Sequence, residues 1–280
     1  MRKRTSILVA LLGILAACSS KPQLPSRPTG APAFEIHGDV KGAPVALGAE
    51  DLAKLPRRSF RAIDRATGRD ATYEGASVAA IVDRARRKPG VDTVIVHTQG
   101  RQAVPVPLWM VWQLRPVLAD RADGAPLPGL VLAWPNAEQS GIDSDPRATS
   151  WWAHGVEALE FVQWPAYARS LAPPPGSPDA VRFGAALFQS RCFWCHEARG
   201  RGGSAGPDLT DAASRLSAEA FARAVRSHRA FSSARPDLVP TPEDVSRVRA
   251  FLLAIGKGSG GPEDEPADPP EPREAADRTR

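Results

Sequence analysis

The stretch "RCFWCHEARGRGGSAGPDLT", Arg191 to Thr210, holds two of the chain's three cysteines. In Cys192-x-x-Cys195-His196, two thiols and an imidazole are spaced to meet a single bound group. Thiolates ligate zinc, but zinc would need two more ligands at suitable spacing. A Cys-x-x-Cys pair can exchange thiols and disulfides, but that chemistry needs no adjacent histidine. Two thioether bonds to a haem, with the imidazole on its iron, use all three residues, and this is the spacing of covalent c-type attachment. An iron held that way has a second face. The function depends largely on which residue, if any, occupies it.

The segments around the motif read as helices that would hold it. "DAVRFGAALFQSRCFWCHE" runs into the attachment site, with Gly184, Phe188 and Cys192 at i, i+4 and i+8 on one helical face. "PEDVSRVRAFLLAI" has Pro242 in a first-turn position, Glu243 and Asp244 near the positive end of the helix dipole, and Phe251 on its apolar face.

This frame, with "GPDL" downstream of the motif, resembles the class I cytochrome c family over about residues 178–257. The resemblance implies an all-α domain and one covalent haem c, bound through Cys192 and Cys195 with His196 as proximal iron ligand. It implies that Gly184 and Phe188 pack against Phe251. It also implies that the Pro207 carbonyl, about a dozen positions beyond His196, accepts a hydrogen bond from that histidine. Such a bond orients the ring and raises its basicity. In the family a methionine before the last helix, commonly followed by proline, supplies the second axial ligand. Here Arg235-Pro236 stands in that place, and a guanidinium stays protonated with no lone pair to offer. Three occupants stay open: water or an open site, His228 seven residues upstream, and Met110, the one methionine after Met1. A histidine at the end of "SAEAFARAVRSHR" is also simply favourable to the helix dipole.

Residues 34–167 mix strand and helix signals and predict an α+β domain. "FEIHGDV" alternates as a half-buried strand, and "FRAIDRATGRDATY" reads as two strands joined at Thr67-Gly68. "ASVAAIVDRARR" has helical spacing, while "DTVIVHT", "GLVLAWP" and "VEALEFVQW" are strand-like. With "TYEGASVAAIVDRA", "VIVHTQG", "LVLAWPN" and "WWAHGVEALEFV", this region resembles the molybdopterin-binding domain of sulfite-oxidase-type oxidoreductases. That family ligates molybdenum through a cysteine, and no cysteine lies between Phe34 and Tyr167. The resemblance therefore carries a fold to this chain and no metal ligand, and no molybdopterin is expected. His37, His97 and His154 match no local metal motif. Trp109, Trp112, Trp134, Trp151, Trp152 and Trp164 read mostly as core anchors, with one of the adjacent pair Trp151–Trp152 a candidate for a docking surface.

The opening "MRKRTSILVALLGILAACSS" has a basic start, an apolar run too short to span a bilayer, and a lipobox-like "LAAC". It predicts an export signal over residues 1–17 and lipidation of Cys18, with Ser19 leaning towards the outer membrane by analogy. An ordinary signal peptide with Cys18 incidental is the alternative. With Cys18 on lipid and the other two cysteines on haem, none is left for a disulfide, which fits an oxidising compartment. Residues 19–33 read as a proline-rich tether, 168–177 as a stiff Pro-rich linker, and 258–280 as a tail lacking apolar residues to bury.

The 36 basic and 31 acidic residues give a net charge of +5. They are interspersed, without the basic stripe of a nucleic-acid binder. Together these readings predict a cytochrome on the periplasmic side of a bacterial membrane, relaying electrons between redox partners of the cell envelope. Two other readings stay open. One is an oxidoreductase, using a pterin or an open haem face; the other is a haem-based sensor or adaptor.

Overall fold

Thr93–Thr98 (β5) is the sequence "TVIVHT", whose residues Val94, Ile95 and Val96 are all buried. A β-branched run buried on both faces suits a strand with neighbours on each side. In this computed structural model β5 pairs with two strands, and the described residues are 34–144, 151–228 and 239–256. These described residues belong to one compact unit.

The N-terminal region is mixed α/β. It opens with Phe34–Gly38 (β1), Val45–Leu47 (β2), the short helix Ala49–Ala53 (α1), Arg57–Ile63 (β3) and Asp70–Ser77 (β4). Val78–Arg84 (α2), β5, Ala103–Pro107 (β6) and Leu108–Leu114 (α3) follow. Val117–Ala122 (β7), Ala125–Ala133 (β8), Ala153–His154 (β9) and Val156–Val162 (β10) complete it. One sheet runs β2-β1-β10-β5-β6 and the other β3-β4-β7-β8-β9. Among the described residues only β1 and β10 pair in parallel. Both sheets contribute to one apolar core that includes Phe34, Tyr73, Trp134 and Phe161.

The expected strands and helix fall where the pattern puts them, including the turn between β3 and β4, where Gly68 takes φ +76°. The tryptophans depart from expectation. Trp151 and Trp152 are both buried, because each ring packs on a core aromatic, Trp134 and Tyr73 respectively. Trp109 and Trp112 of α3 are instead exposed, at 57% and 42%.

The C-terminal region is built from Asp179–Arg191 (α5), Ala212–Arg215 (α6), Ala218–Arg226 (α7) and Pro242–Gly256 (α8), after a single turn at Trp164–Tyr167 (α4). A two-residue ladder, Glu197–Ala198 with Arg201–Gly202 (β11, β12), is added to the expected all-α pattern. Helix α8 starts on a reciprocal cap. Asp244 N–H donates to Thr241 Oγ1 and Thr241 N–H to Asp244 Oδ2, both at 3.1 Å. Helices α5 and α8 cross in contact at Gly184, where a Cβ would overlap the Arg247 carbonyl oxygen. Beside that crossing, the Phe188 and Phe251 rings sit 5.6 Å apart.

The segment between the regions is only partly a spacer. Pro174, Pro175 and Gly176 are exposed, but Leu171 is fully buried in the C-terminal core. Full burial of a leucine contributes about 1.5–3 kcal/mol, so this part of the segment belongs to the packing. The leader, Cys18, the tether and the 258–280 tail lie outside the described residues.

Candidate haem-attachment site

Helix α5 delivers the motif. Cys192 N–H and Phe193 N–H both donate to Phe188 O at 2.9 Å, closing the helix on the first cysteine. The chain then winds through a tight turn, with Cys195 N–H and His196 N–H both donating to Cys192 O. As a result Cys192, Cys195 and His196 line one cavity with Leu187, Val225 and Val248. That apolar lining suits the face of a flat, largely apolar cofactor.

His196 is 8% exposed, and its Nδ1 lies 2.8 Å from Pro207 O. A carbonyl only accepts, so Nδ1 carries the proton and donates, leaving the lone pair on Nε2. Gly206 allows this approach, since a Cβ there would overlap the imidazole. Opposite stands His228, just past α7, with its Nε2 3.3 Å from His196 Nε2. Burial, and then the neighbouring His196 ring, push the His228 pKa below its ordinary value.

The thiols are chemically quiet in the folded chain. Burial pushes Cys192 up to about 12, with Arg191 pulling the other way. Burial also raises Cys195, against the lowering effect of a hydrogen bond from Gln102. A thiol protonated at neutral pH is a poor nucleophile, which argues against a thiol–disulfide exchange pair. Among the described residues no group of three or more His, Cys, Asp or Glu is placed to hold a metal ion. Two unpaired thiols, an oriented imidazole and an apolar cavity fit a covalently attached haem.

A profile of the cytochrome c family matches residues 181–254. Residues 181–254 are a cytochrome c domain. A domain of that kind implies covalently bound haem c and supports haem-based electron transfer. Comparison with curated proteins finds no significant match. Among solved structures, the sulfane dehydrogenase SoxCD from Paracoccus pantotrophus is similar over 46% of this chain and 38% of its own, at 17% identity and a TM-score of 0.36. The chain spans little more than a third of that protein, and likeness at this level says nothing of substrate or partner.

Several other candidates lie elsewhere. Met110 is 1% exposed in the core of the N-terminal region, and it does not line the cytochrome c cavity. Arg235 and Pro236 lie outside the described residues. His97 Nε2 sits 2.8 Å from Glu160 Oε2, with His37 stacked on its ring, and His154 bonds Asp64 at 2.9 Å.

The turn between β5 and β6 was not singled out by the sequence. Ala103 N–H donates to Trp194 O at 3.0 Å, and Ser204 N–H to Arg101 O at 2.8 Å. Gln102 Nε2 reaches Cys195 Sγ at 3.7 Å. Arg101 takes a left-handed φ of +62°, uncommon for its type. The N-terminal region therefore lies directly on the attachment loop of the cytochrome c domain. Trp164 and Tyr167 strengthen the seam by packing edge-on against Phe193. No local pattern announces such contacts, since Gln102 and Cys195 are 93 residues apart.

Proposed function

We propose that this chain is an exported, lipid-anchored c-type cytochrome that relays electrons through one haem c. Cys192 and Cys195 hold the haem by thioether bonds, and His196 ligates its iron. The observation that carries this reading is the His196 imidazole, oriented by Pro207 O at 2.8 Å on a turn that also carries both thiols. An imidazole fixed in one tautomer by a carbonyl is a stronger, better-aimed iron ligand.

Export and lipidation at Cys18 rest on the basic start, short apolar run and "LAAC" of the leader. They place the protein on the periplasmic side of a membrane, among redox partners of the cell envelope. The N-terminal region serves as a docking or ligand-binding module. Its sequence resembles sulfite-oxidase-type domains without their cysteine, and its β5–β6 turn covers one side of the attachment loop.

Iron and molybdenum analysis of the purified protein tests the reading, together with haem staining of a denaturing gel. One iron per chain is expected, with haem colour surviving denaturation and lost in Cys192→Ala. Molybdenum at one atom per chain would overturn the assignment of the N-terminal region. Haem that washes out under denaturation would overturn the attachment.

A further inference from the structure

We infer that His228 is the second axial ligand, so that the haem iron is held between two imidazoles. This deepens the reading above and rests on it.

The Nε2 atoms of His196 and His228 stand 3.3 Å apart, and the ring centroids 5.5 Å apart. A ring centroid lies less than a bond length from its nitrogens. The centroid separation is therefore close to the largest that a 3.3 Å nitrogen distance allows. The two nitrogens lie near the line joining the ring centres and face each other end-on. Stacked or edge-packed histidines would instead bring ring faces or C–H edges together, as His37 and His97 do at an interplanar angle of 25°.

Proton placement agrees. His196 Nδ1 carries a proton for Pro207 O, so His196 Nε2 accepts, and one proton on His228 Nε2 serves the pair. A metal cation takes the same place between two lone pairs. Two metal–imidazole bonds of about 2 Å each need roughly 4 Å, so the nitrogens must part by well under 1 Å. Both imidazoles line the cavity that carries the two thiols. The alternatives are weaker. Arg235 has no lone pair, and Met110 is fully enclosed in the other core.

The test uses the full-length haem-loaded protein, with far-UV circular dichroism to show that each variant folds. In the wild type, a low-spin spectrum in both oxidation states is expected, without a methionine–iron charge-transfer band and without carbon monoxide binding to the reduced form. His228→Ala should become high-spin and bind carbon monoxide at least tenfold more tightly. His228→Met should regain a low-spin spectrum, gain the methionine–iron band and raise the reduction potential. A wild type that is high-spin and binds carbon monoxide overturns the proposal, as does a His228→Ala spectrum identical to the wild type. Either result leaves covalent attachment, and so the electron-transfer reading, intact.

Discussion

The Gln102 side-chain amide, from the N-terminal region, donates to the Cys195 sulfur of the haem motif at 3.7 Å. The bond sits in the seam made by Ala103 with Trp194 and by Arg101 with Ser204. Sulfur is a weak acceptor, so this bond contributes little by itself and acts mainly by fixing the turn. Gln102→Leu should keep its covalent haem and lose at most about 1 kcal/mol of stability in denaturant titration. Protease cleavage at exposed Pro174–Gly176 should quicken as the seam loosens. An unchanged cleavage rate would assign the whole seam to the backbone bonds and aromatic packing.

Gly184 is where α5 and α8 touch. A methyl there would overlap the Arg247 carbonyl and press on Phe251 Cβ. Backbone on a packed helix cannot swing aside as a flexible side chain can. Gly184→Ala should cost about 1–3 kcal/mol, read as a lower midpoint in guanidinium followed by haem absorbance. A smaller change than this would mean that the two helices separate easily.

Gly206 plays the corresponding role at His196, the proposed iron ligand. A Cβ at 206 would overlap the His196 ring, which must then turn away from Pro207 O. In Gly206→Ala, the visible spectrum and reduction potential should change more than the global unfolding midpoint does. The reverse pattern would show that the imidazole is not held by this contact.

Asp64 predicts a pH dependence in the N-terminal region. Burial pushes its carboxyl up, but bonds from His154, Thr67 and the Ala66 N–H outweigh that and hold it below its ordinary value. A carboxylate depressed in the folded state stabilises fully above its unfolded value of about 3.9. That stability is lost as the pH falls through the lower folded value. Asp64→Asn should cost about 1–3 kcal/mol near neutrality. The gap to the wild type should then close as the pH drops below about 4. A gap that stays constant down to pH 2 would remove the carboxylate from the account.

The haem motif and its two helices were legible in the sequence because their signals are local. Cys192, Cys195 and His196 sit within five residues, and Gly184, Phe188, Pro242 and Phe251 mark helices by spacing and position. Strands such as β5 were legible for the same reason. The leader and Cys18 are readings of the sequence alone. Only the tertiary structure decided that His228 faces His196, that Met110 is enclosed in the other core, and that Trp151 and Trp152 are both buried. Only it laid Gln102 and Ala103 on the attachment loop. The physical reason is common to all of these. Each is a contact between segments far apart in sequence, fixed by how whole elements pack, and neither residue of such a pair carries a mark of its partner.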